Sequence, residues 1–178
     1  MTFDIGFATA ETVLVTEVTE LVNQAYRDGE KGLWKDGVGR TTPAEVRALA
    51  EAGELVVARS HGTVVGALRL HRLGPGQAGL GMLASRSRRK GAGVGTALVD
   101  HAEAWAAGEN LTTMQLEILT PRNGRHPYKD FLMDWYERRG YRLVTTTGLD
   151  RFHPHLAPLL AVDCDVRVYR KALSPAGA

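Results

Sequence analysis

Three strand-like runs follow one another between residues 54 and 85, and this succession constrains the fold more than any other feature of the chain. The runs are Glu54–Arg59, Thr63–Leu70 and Leu80–Ser85, and short glycine-containing turns separate them. Strands joined by short turns pair antiparallel, because a parallel connection needs a long crossover. The sequence therefore predicts an antiparallel meander, which excludes a sheet built from parallel strands alone.

Helical and extended patterns alternate on either side of this meander. Before it, the alternation in Phe3–Phe7 predicts a strand, and the apolar spacing in Val15–Tyr26 predicts a helix. Thr42, followed by proline and then by glutamate, is typical of a capped helix start. After the meander come a helix from Val94, a strand at Met114–Leu119, a helix at Tyr128–Arg139, and strands at Tyr141–Thr146 and Val162–Arg170. The order β-α-α-β-β-β-α-β-α-β-β predicts a mixed α/β (α+β) fold with helices on both faces of the sheet.

The composition fits one domain over residues 1–178, since 44% of the chain is hydrophobic. No apolar run reaches the roughly 20 residues of a membrane helix, and the N-terminus lacks a secretory signal pattern. The formal net charge of +2 offers no broad basic face for nucleic acid. Cys164 is the one cysteine, which excludes an internal disulfide and a thiolate metal cluster. We expect a cytoplasmic protein without a membrane partner; its oligomeric state is open, a homodimer being the commonest assembly.

A glycine-rich segment, Lys90–Thr96, lies between the third meander strand and the next helix. Its glycines allow successive backbone N–H groups to point toward one ligand, and the helix N-terminus adds a partial positive charge. Arg88, Arg89 and the lysine add full charges at the same place. This combination predicts binding of a phosphate or pyrophosphate.

Two common nucleotide-binding patterns do not fit this segment. A P-loop requires GxxxxGK[ST], and no lysine follows a glycine at that spacing. A dinucleotide fingerprint requires GxGxxG early in a βαβ unit, whereas Gly91, Gly93 and Gly95 have a different last spacing and follow a meander. A third pattern, Gln/Arg-x-x-Gly-x-Gly/Ala, maps onto Lys90–Gly95. A glycine turn without a ligand is the plain alternative.

A second motif lies where the helix after the next strand ends. Trp135–Tyr141 reads WYERRGY and matches an aromatic-Tyr-Glu-x-x-Gly-aromatic signature. Together with the glycine segment, which has Lys90 where arginine or glutamine is usual, it resembles the GNAT superfamily of N-acetyltransferases. The resemblance covers nearly the whole chain, although only these two motifs are specific.

This resemblance implies a fold, a donor and a reaction. The fold would be a mixed, mostly antiparallel central sheet of about seven strands, splayed in the middle and flanked by about four helices. Acetyl-CoA would donate its acetyl group directly to a small-molecule or peptide amine, without a metal; a non-catalytic acyl-CoA-binding sensor domain is the alternative. The donor would contact Leu83, Ala84 and Ser85 along its pantetheine arm and Arg88, Arg89, Lys90, Gly91, Ala92, Gly93, Val94, Gly95 and Thr96 at its pyrophosphate.

The resemblance assigns one catalytic residue and departs from the family at two others. Tyr136 matches the tyrosine that protonates the departing thiolate in many relatives, and a phenol with a reference pKa of about 10 suits that role. Lys129 stands where relatives often have a cofactor-contacting asparagine, so we expect it to contact the cofactor or to face the substrate. Gly79 stands where many relatives have a glutamate that acts as base through water.

The general base must therefore be sought elsewhere. Glu117 is the acid within the predicted central strand Met114–Leu119, and burial of an unpaired carboxylate is costly. It is a candidate base; the alternative is a partly solvated edge position or a pair with an arginine. His71, at the end of a meander strand, is a weaker candidate.

Two further groups of residues could bind a metal or another cation, but each could also be an ordinary loop. His153, His155 and Cys164 are of types that bind zinc, but their spacing fits no closed site, and Pro154 predicts a rigid loop without a metal. The aspartates on both sides of the cysteine would raise its pKa, which argues against a covalent acyl-enzyme. Trp34, near three acidic residues, marks either a cation-binding lip or an ordinary charged loop.

Overall fold

The computed structural model describes residues 2–86 and 93–174, and within them it has seven strands and five helices. The strands are β1 (Asp4–Phe7), β2 (Leu55–Ser60), β3 (Thr63–Gly74), β4 (Gln77–Ser85), β5 (Thr113–Pro121), β6 (Arg142–Gly148) and β7 (Cys164–Ala172). The helices are α1 (Thr12–Gly29), α2 (Pro43–Glu51), α3 (Val94–Gly108), α4 (Pro127–Arg138) and α5 (Leu149–Phe152). The predicted mixed, mostly antiparallel class is confirmed. No helix in the described ranges combines the length and apolar character that spanning a membrane requires.

The described residues form two compact units. The first comprises the described residues of Met1–Asp28, Gly39–Met114 and Leu173–Ala178, and the second comprises Gly29–Val38 and Gln115–Ala172. A single domain over residues 1–178 stays a prediction. So does the splay of the sheet, because it concerns β4 and β5, which belong mainly to different units.

In the first unit, four strands pair antiparallel in the order β1-β2-β3-β4. Helices α1 and α2 bury apolar side chains against this sheet: Val18 and Val22 from α1 and Val46 from α2 join Leu55 and Val57 of β2 in one core cluster. Burial of each such side chain contributes roughly 1.5–3 kcal/mol. This cluster holds both helices on the sheet.

The start of α2 has the predicted capping box. The Glu45 N–H donates to Thr42 Oγ1 at 3.2 Å, and the Thr42 N–H donates to Glu45 Oε2 at 2.8 Å. Pro43 occupies the first turn, where an N–H would have no partner within the helix. The prediction made from these residues is confirmed.

In the second unit, β7 lies between β5 and β6, and β6 pairs antiparallel with β7. The chain between β6 and β7, for which the sequence predicts only a loop, also contains α5 and a 3-10 turn at Ala157–Leu159. This stretch has a defined structure because its apolar residues pack on β5 and β7. The cluster consists of Leu149, Val166 and Val168 with Trp34, Leu119, Leu156 and Leu160.

Candidate functional site

The start of α3 carries the described part of the glycine segment. The predicted contacts Arg88, Arg89, Lys90, Gly91 and Ala92 lie outside the described residues. Gly93 caps α3 with a φ of 83°, a left-handed backbone that glycine adopts without strain. A Cβ at Gly93 or Gly95 would meet no described heavy atom within 4 Å. The first N–H groups of a helix lack partners within it, and no acidic residue occupies this first turn, so the helix start is suited to an anion.

The end of β4 lies beside this helix start. Gly66 of β3 permits the close approach, since a Cβ there would be 2.6 Å from Val94 Cγ1 and 3.1 Å from the Ala84 carbonyl oxygen. Ala84 and Val94 are both predicted cofactor contacts. The first unit therefore brings these two predicted residues together.

A β-bulge interrupts β4 just before its last residues. Between the pairs Ala67–Ala84 and Arg69–Gly81, β4 has two residues where β3 has one. Met82 has a φ of 52°, and its side chain is buried. Such a backbone in a residue other than glycine costs on the order of 1–3 kcal/mol and is often found at functional sites. A bulge also leaves a residue without a partner in the strand ladder. This bulge includes Leu83, the first residue of the segment predicted to contact pantetheine.

Tyr136 lies in the last turn of α4, held between two aromatic rings. Its ring centroid is 4.7 Å from that of Trp135 and 5.3 Å from that of Tyr141, both in edge-to-face geometry. The residue is 5% exposed. Gly140, with a φ of 94°, ends the helix, and the Tyr141 N–H donates to the Tyr136 carbonyl at 3.1 Å. The second sequence motif thus fixes the phenol at the corner between α4 and β6.

Lys129 is buried in an ion pair with Glu30. The Lys129 ammonium donates to Glu30 Oε1, and the two side chains are 5% and 6% exposed. Trp34 Nε1 donates to the other oxygen of this carboxylate at 2.5 Å. Because donors engage both oxygens, the interpretation of Trp34 as part of a cation-binding lip has no support at Glu30. The contact between Lys129 and the cofactor stays a prediction.

Glu117 lies in the middle of β5 and accepts a hydrogen bond from His153. His153 Nε2 is 2.9 Å from Glu117 Oε2, and the two side chains are 36% and 38% exposed. Of the alternatives that the sequence allowed, the carboxylate is partly solvated, and its partner is a histidine that follows α5 and not an arginine. The role of Glu117 as base stays a prediction.

The position at which many relatives have a glutamate has little room for a side chain here. A Cβ on Gly79 would be 2.8 Å from His71 Cε1 and 2.9 Å from Leu73 Cγ. His71 of β3 lies directly opposite Gly79 in the sheet. The side chains of His71 and Leu73 thus occupy the space that a side chain at this position would enter.

Cys164 is a protonated thiol at neutral pH. Burial raises its pKa to about 11, and the Glu30 carboxylate adds to the shift, with the flanking aspartates contributing less. The direction predicted from the sequence is confirmed, although burial is the largest cause. Among the described residues, no three His, Cys, Asp or Glu side chains come together as a metal site.

Two partners in these contacts were not predicted from the sequence. Glu30 lies 99 residues before Lys129, and His153 lies 36 residues after Glu117. No periodicity connects residues so far apart. Once Lys129 is known to be buried, a carboxylate partner is expected, because a buried ammonium requires one.

Comparisons with known proteins identify a family and a fold. A family model described as Acetyltransferase (GNAT) family matches residues 16–141. A search of curated protein sequences finds no significant match. Solved structures with the same fold include an aminoglycoside 6'-N-acetyltransferase complexed with coenzyme A, 18% identical, with a TM-score of 0.73 over 100% of both chains.

Two other solved structures are similar. The ribosomal-protein-alanine N-acetyltransferase of Brucella melitensis is 15% identical, with a TM-score of 0.70 over 96% of this chain and 99% of that one. A Bacillus anthracis protein solved in complex with acetyl coenzyme A is 18% identical, with a TM-score of 0.54 over 67% and 62% of the two chains. At such identities these likenesses show the fold alone.

Proposed function

Because this chain belongs to the GNAT family of acetyltransferases, we propose that it transfers an acetyl group from acetyl-CoA to a primary amine of a small molecule or peptide. Donor and acceptor are bound at the same time, and the transfer is direct. The observation that carries the proposal is Tyr136, which is buried between two rings at the end of α4 and matches the family's proton donor.

The described residues of the first unit fit this donor. The start of α3, with its open space at Gly93 and Gly95, suits the pyrophosphate. The backbone at the end of β4, comprising Leu83 of the bulge and the following Ala84 and Ser85, suits the amides of the pantetheine arm. Two similar proteins were solved with coenzyme A or acetyl coenzyme A. When bound, acetyl-CoA supplies a thioester whose carbonyl carbon an amine can attack.

Residues of the chain would then stabilise the developing charge and donate a proton. A backbone N–H at the end of β4 stabilises the negative charge that develops on the carbonyl oxygen. The Tyr136 hydroxyl donates its proton to the departing sulfur. Cys164 takes no part, because a buried thiol whose pKa is about 11 does not supply a thiolate at neutral pH.

The donor is tested by calorimetry with the purified protein. We expect acetyl-CoA to release or absorb heat in a saturable titration and NAD and ATP to give none. A response to NAD or ATP with none to acetyl-CoA would overturn the assignment of the donor.

The proton donor and the direct route are tested by two substitutions. Tyr136→Phe removes one hydroxyl and keeps the aromatic packing, so we expect kcat to fall about 100-fold or more with acetyl-CoA affinity retained. Cys164→Ala is the matched control and should retain turnover. Normal turnover in Tyr136→Phe would exclude the phenol as acid, and a comparable loss in Cys164→Ala would support a covalent route instead.

A further inference from the structure

We propose that His153 is the base that takes the proton from the acceptor amine, and that Glu117 positions it; this assignment rests on the proposed acetyl transfer. It replaces the simpler idea that Glu117 itself is the base. The geometry that favours the histidine is the hydrogen bond between the two side chains, at 2.9 Å from His153 Nε2 to Glu117 Oε2.

The hydrogen bond fixes which nitrogen of the ring can accept a proton. A carboxylate beside Nε2 is an acceptor, so the proton of the neutral imidazole lies on Nε2. The other nitrogen, Nδ1, then has the lone pair that a base requires. The carboxylate also fixes the orientation of the ring, as the third group does in other base–carboxylate pairs.

The backbone on both sides of His153 is anchored, so the ring has a defined position. Its N–H donates to the Leu149 carbonyl at 2.7 Å, and its carbonyl accepts from the Leu156 N–H at 2.9 Å. Leu149 is buried and Leu156 packs against the same apolar cluster. The ring of Phe152 is in edge contact with the imidazole, 5.0 Å between centroids. These contacts hold the imidazole over β5.

A second polar contact fastens the same stretch of chain to β7. Arg122, directly after β5, donates to Asp165 Oδ1 at 3.0 Å and lies 3.8 Å from Asp150 Oδ1. Asp150 belongs to α5, which immediately precedes His153. The base is therefore supported by a short helix that is fixed by both apolar packing and charge.

The pair is accessible to an acceptor. About a third of each side chain is exposed, at 36% for His153 and 38% for Glu117, whereas Tyr136 and Lys129 are almost completely buried. An amine from solution can reach the imidazole without unfolding the loop.

In the proposed transfer, the amine nitrogen gives up two protons. The acceptor ammonium loses one proton to His153 Nδ1, from which it passes to solvent. The amine nitrogen then forms its bond to the acetyl carbon as the carbon–sulfur bond breaks, and the departing sulfur takes the Tyr136 proton. The second proton leaving the amine nitrogen restores the phenol. The products are the amide, the free thiol and one proton.

A spectroscopic test needs no acetyl-CoA or amine. Long-range ¹H–¹⁵N correlation spectra of the whole protein, labelled in its histidines and assigned with His153→Ala, distinguish the two tautomers of the ring. We expect the proton of neutral His153 on Nε2. A proton on Nδ1 would overturn the proposal, because that nitrogen could then accept nothing.

The kinetic test uses His153→Ala, Glu117→Gln and the double variant. His153→Ala should lose about 100-fold or more in kcat, with little change in the KM of the amine, and added imidazole should restore part of the loss. Glu117→Gln should lower kcat in the wild-type background and have no further effect when His153 is already alanine. His155→Ala is the matched control: it removes the imidazole that lies edge-on to His153, 6.1 Å between ring centroids, but no atom of the Glu117–His153 hydrogen bond.

Several outcomes would contradict this assignment. Full turnover in His153→Ala, or a loss that imidazole does not restore, would give the ring a packing role at most. An equal fall in kcat from Glu117→Gln in both backgrounds would show that the carboxylate acts independently of His153. If the wild-type protein turns over no amine at all, the proposed function fails and the base assignment fails with it, whatever the tautomer.

Discussion

The carboxylate of Glu30 accepts from both Lys129 and Trp34, and all three come from the second unit. Removing one partner of a buried ion pair leaves the other charge uncompensated, which typically costs 3–5 kcal/mol. We expect Lys129→Met to lower the free energy of unfolding in urea by about 3 kcal/mol. Adding Glu30→Gln, which still offers Trp34 an acceptor, should recover most of that loss.

A surface pair is the control for this prediction. Arg125 and Asp130 approach to 2.9 Å, but the arginine side chain is 86% exposed. Exposed pairs contribute about 0–1 kcal/mol, so Arg125→Met should cost far less than Lys129→Met. Equal stability of Lys129→Met and the wild type would show that the buried pair contributes nothing.

The same variants distinguish two roles of Lys129. If its ammonium also contacts the acyl donor, as the family resemblance implies, then Glu30→Gln/Lys129→Met should bind acetyl-CoA more weakly although its stability is restored. Calorimetric titration of that double variant measures the affinity. An affinity equal to that of the wild type would exclude the contact.

The buried thiol of Cys164 gives stability a defined dependence on pH. Burial raises the thiol pKa from 9.0 to about 11, so the unfolded chain ionises first. The stability linked to this group is complete below the unfolded pKa and is lost as the pH rises toward the folded pKa. Between pH 7 and pH 10 we expect urea unfolding to show a smaller decline in Cys164→Ala than in the wild type. Equal declines would mean that the thiol does not contribute.

At the level of elements, the capping box of α2 is the clearest local determinant of structure. Glu45→Ala removes the acceptor that serves the Thr42 N–H and should cost about 1 kcal/mol of stability in urea unfolding. Glu51→Ala, at the other end of the same helix, is the matched control. It removes a negative charge from the C-terminal turn, where the helix dipole disfavours one, and should cost nothing. A similar effect of both changes would contradict the capping role.

Elements with strong local signals were predictable, and those held by distant contacts were not. The box at Thr42 and the glycine ending α4 at Gly140 each act within a few residues, so both boundaries followed from the sequence. The bulge at Met82 puts its positive φ on a methionine and not on the neighbouring Gly81, so no residue type indicates its position. Helix α5 is four residues long and is stabilised by packing of Leu149 on β7, which no local pattern records.

For the whole molecule, two motifs were sufficient to predict the family but not the acceptor chemistry. The glycine segment and Trp135–Tyr141 are short and have fixed spacing, so both can be recognised in the sequence alone. The pairs Glu30–Lys129 and Glu117–His153 join residues 99 and 36 positions apart. Their existence depends on how the chain folds in three dimensions, and only the structure revealed them.

Amine-dependent acetyl transfer by the purified protein tests the proposed activity directly. Acetyl-CoA is supplied with a panel of small-molecule amines and of peptides that have a free N-terminus or a lysine. Release of the coenzyme A thiol is followed in time, and the amine product is identified by mass spectrometry. We predict thiol release that depends on at least one amine, with an equal amount of acetylated product. Saturable binding of acetyl-CoA with no release above the amine-free rate for any of these amines would contradict the enzyme and make the protein an acyl-CoA-binding sensor.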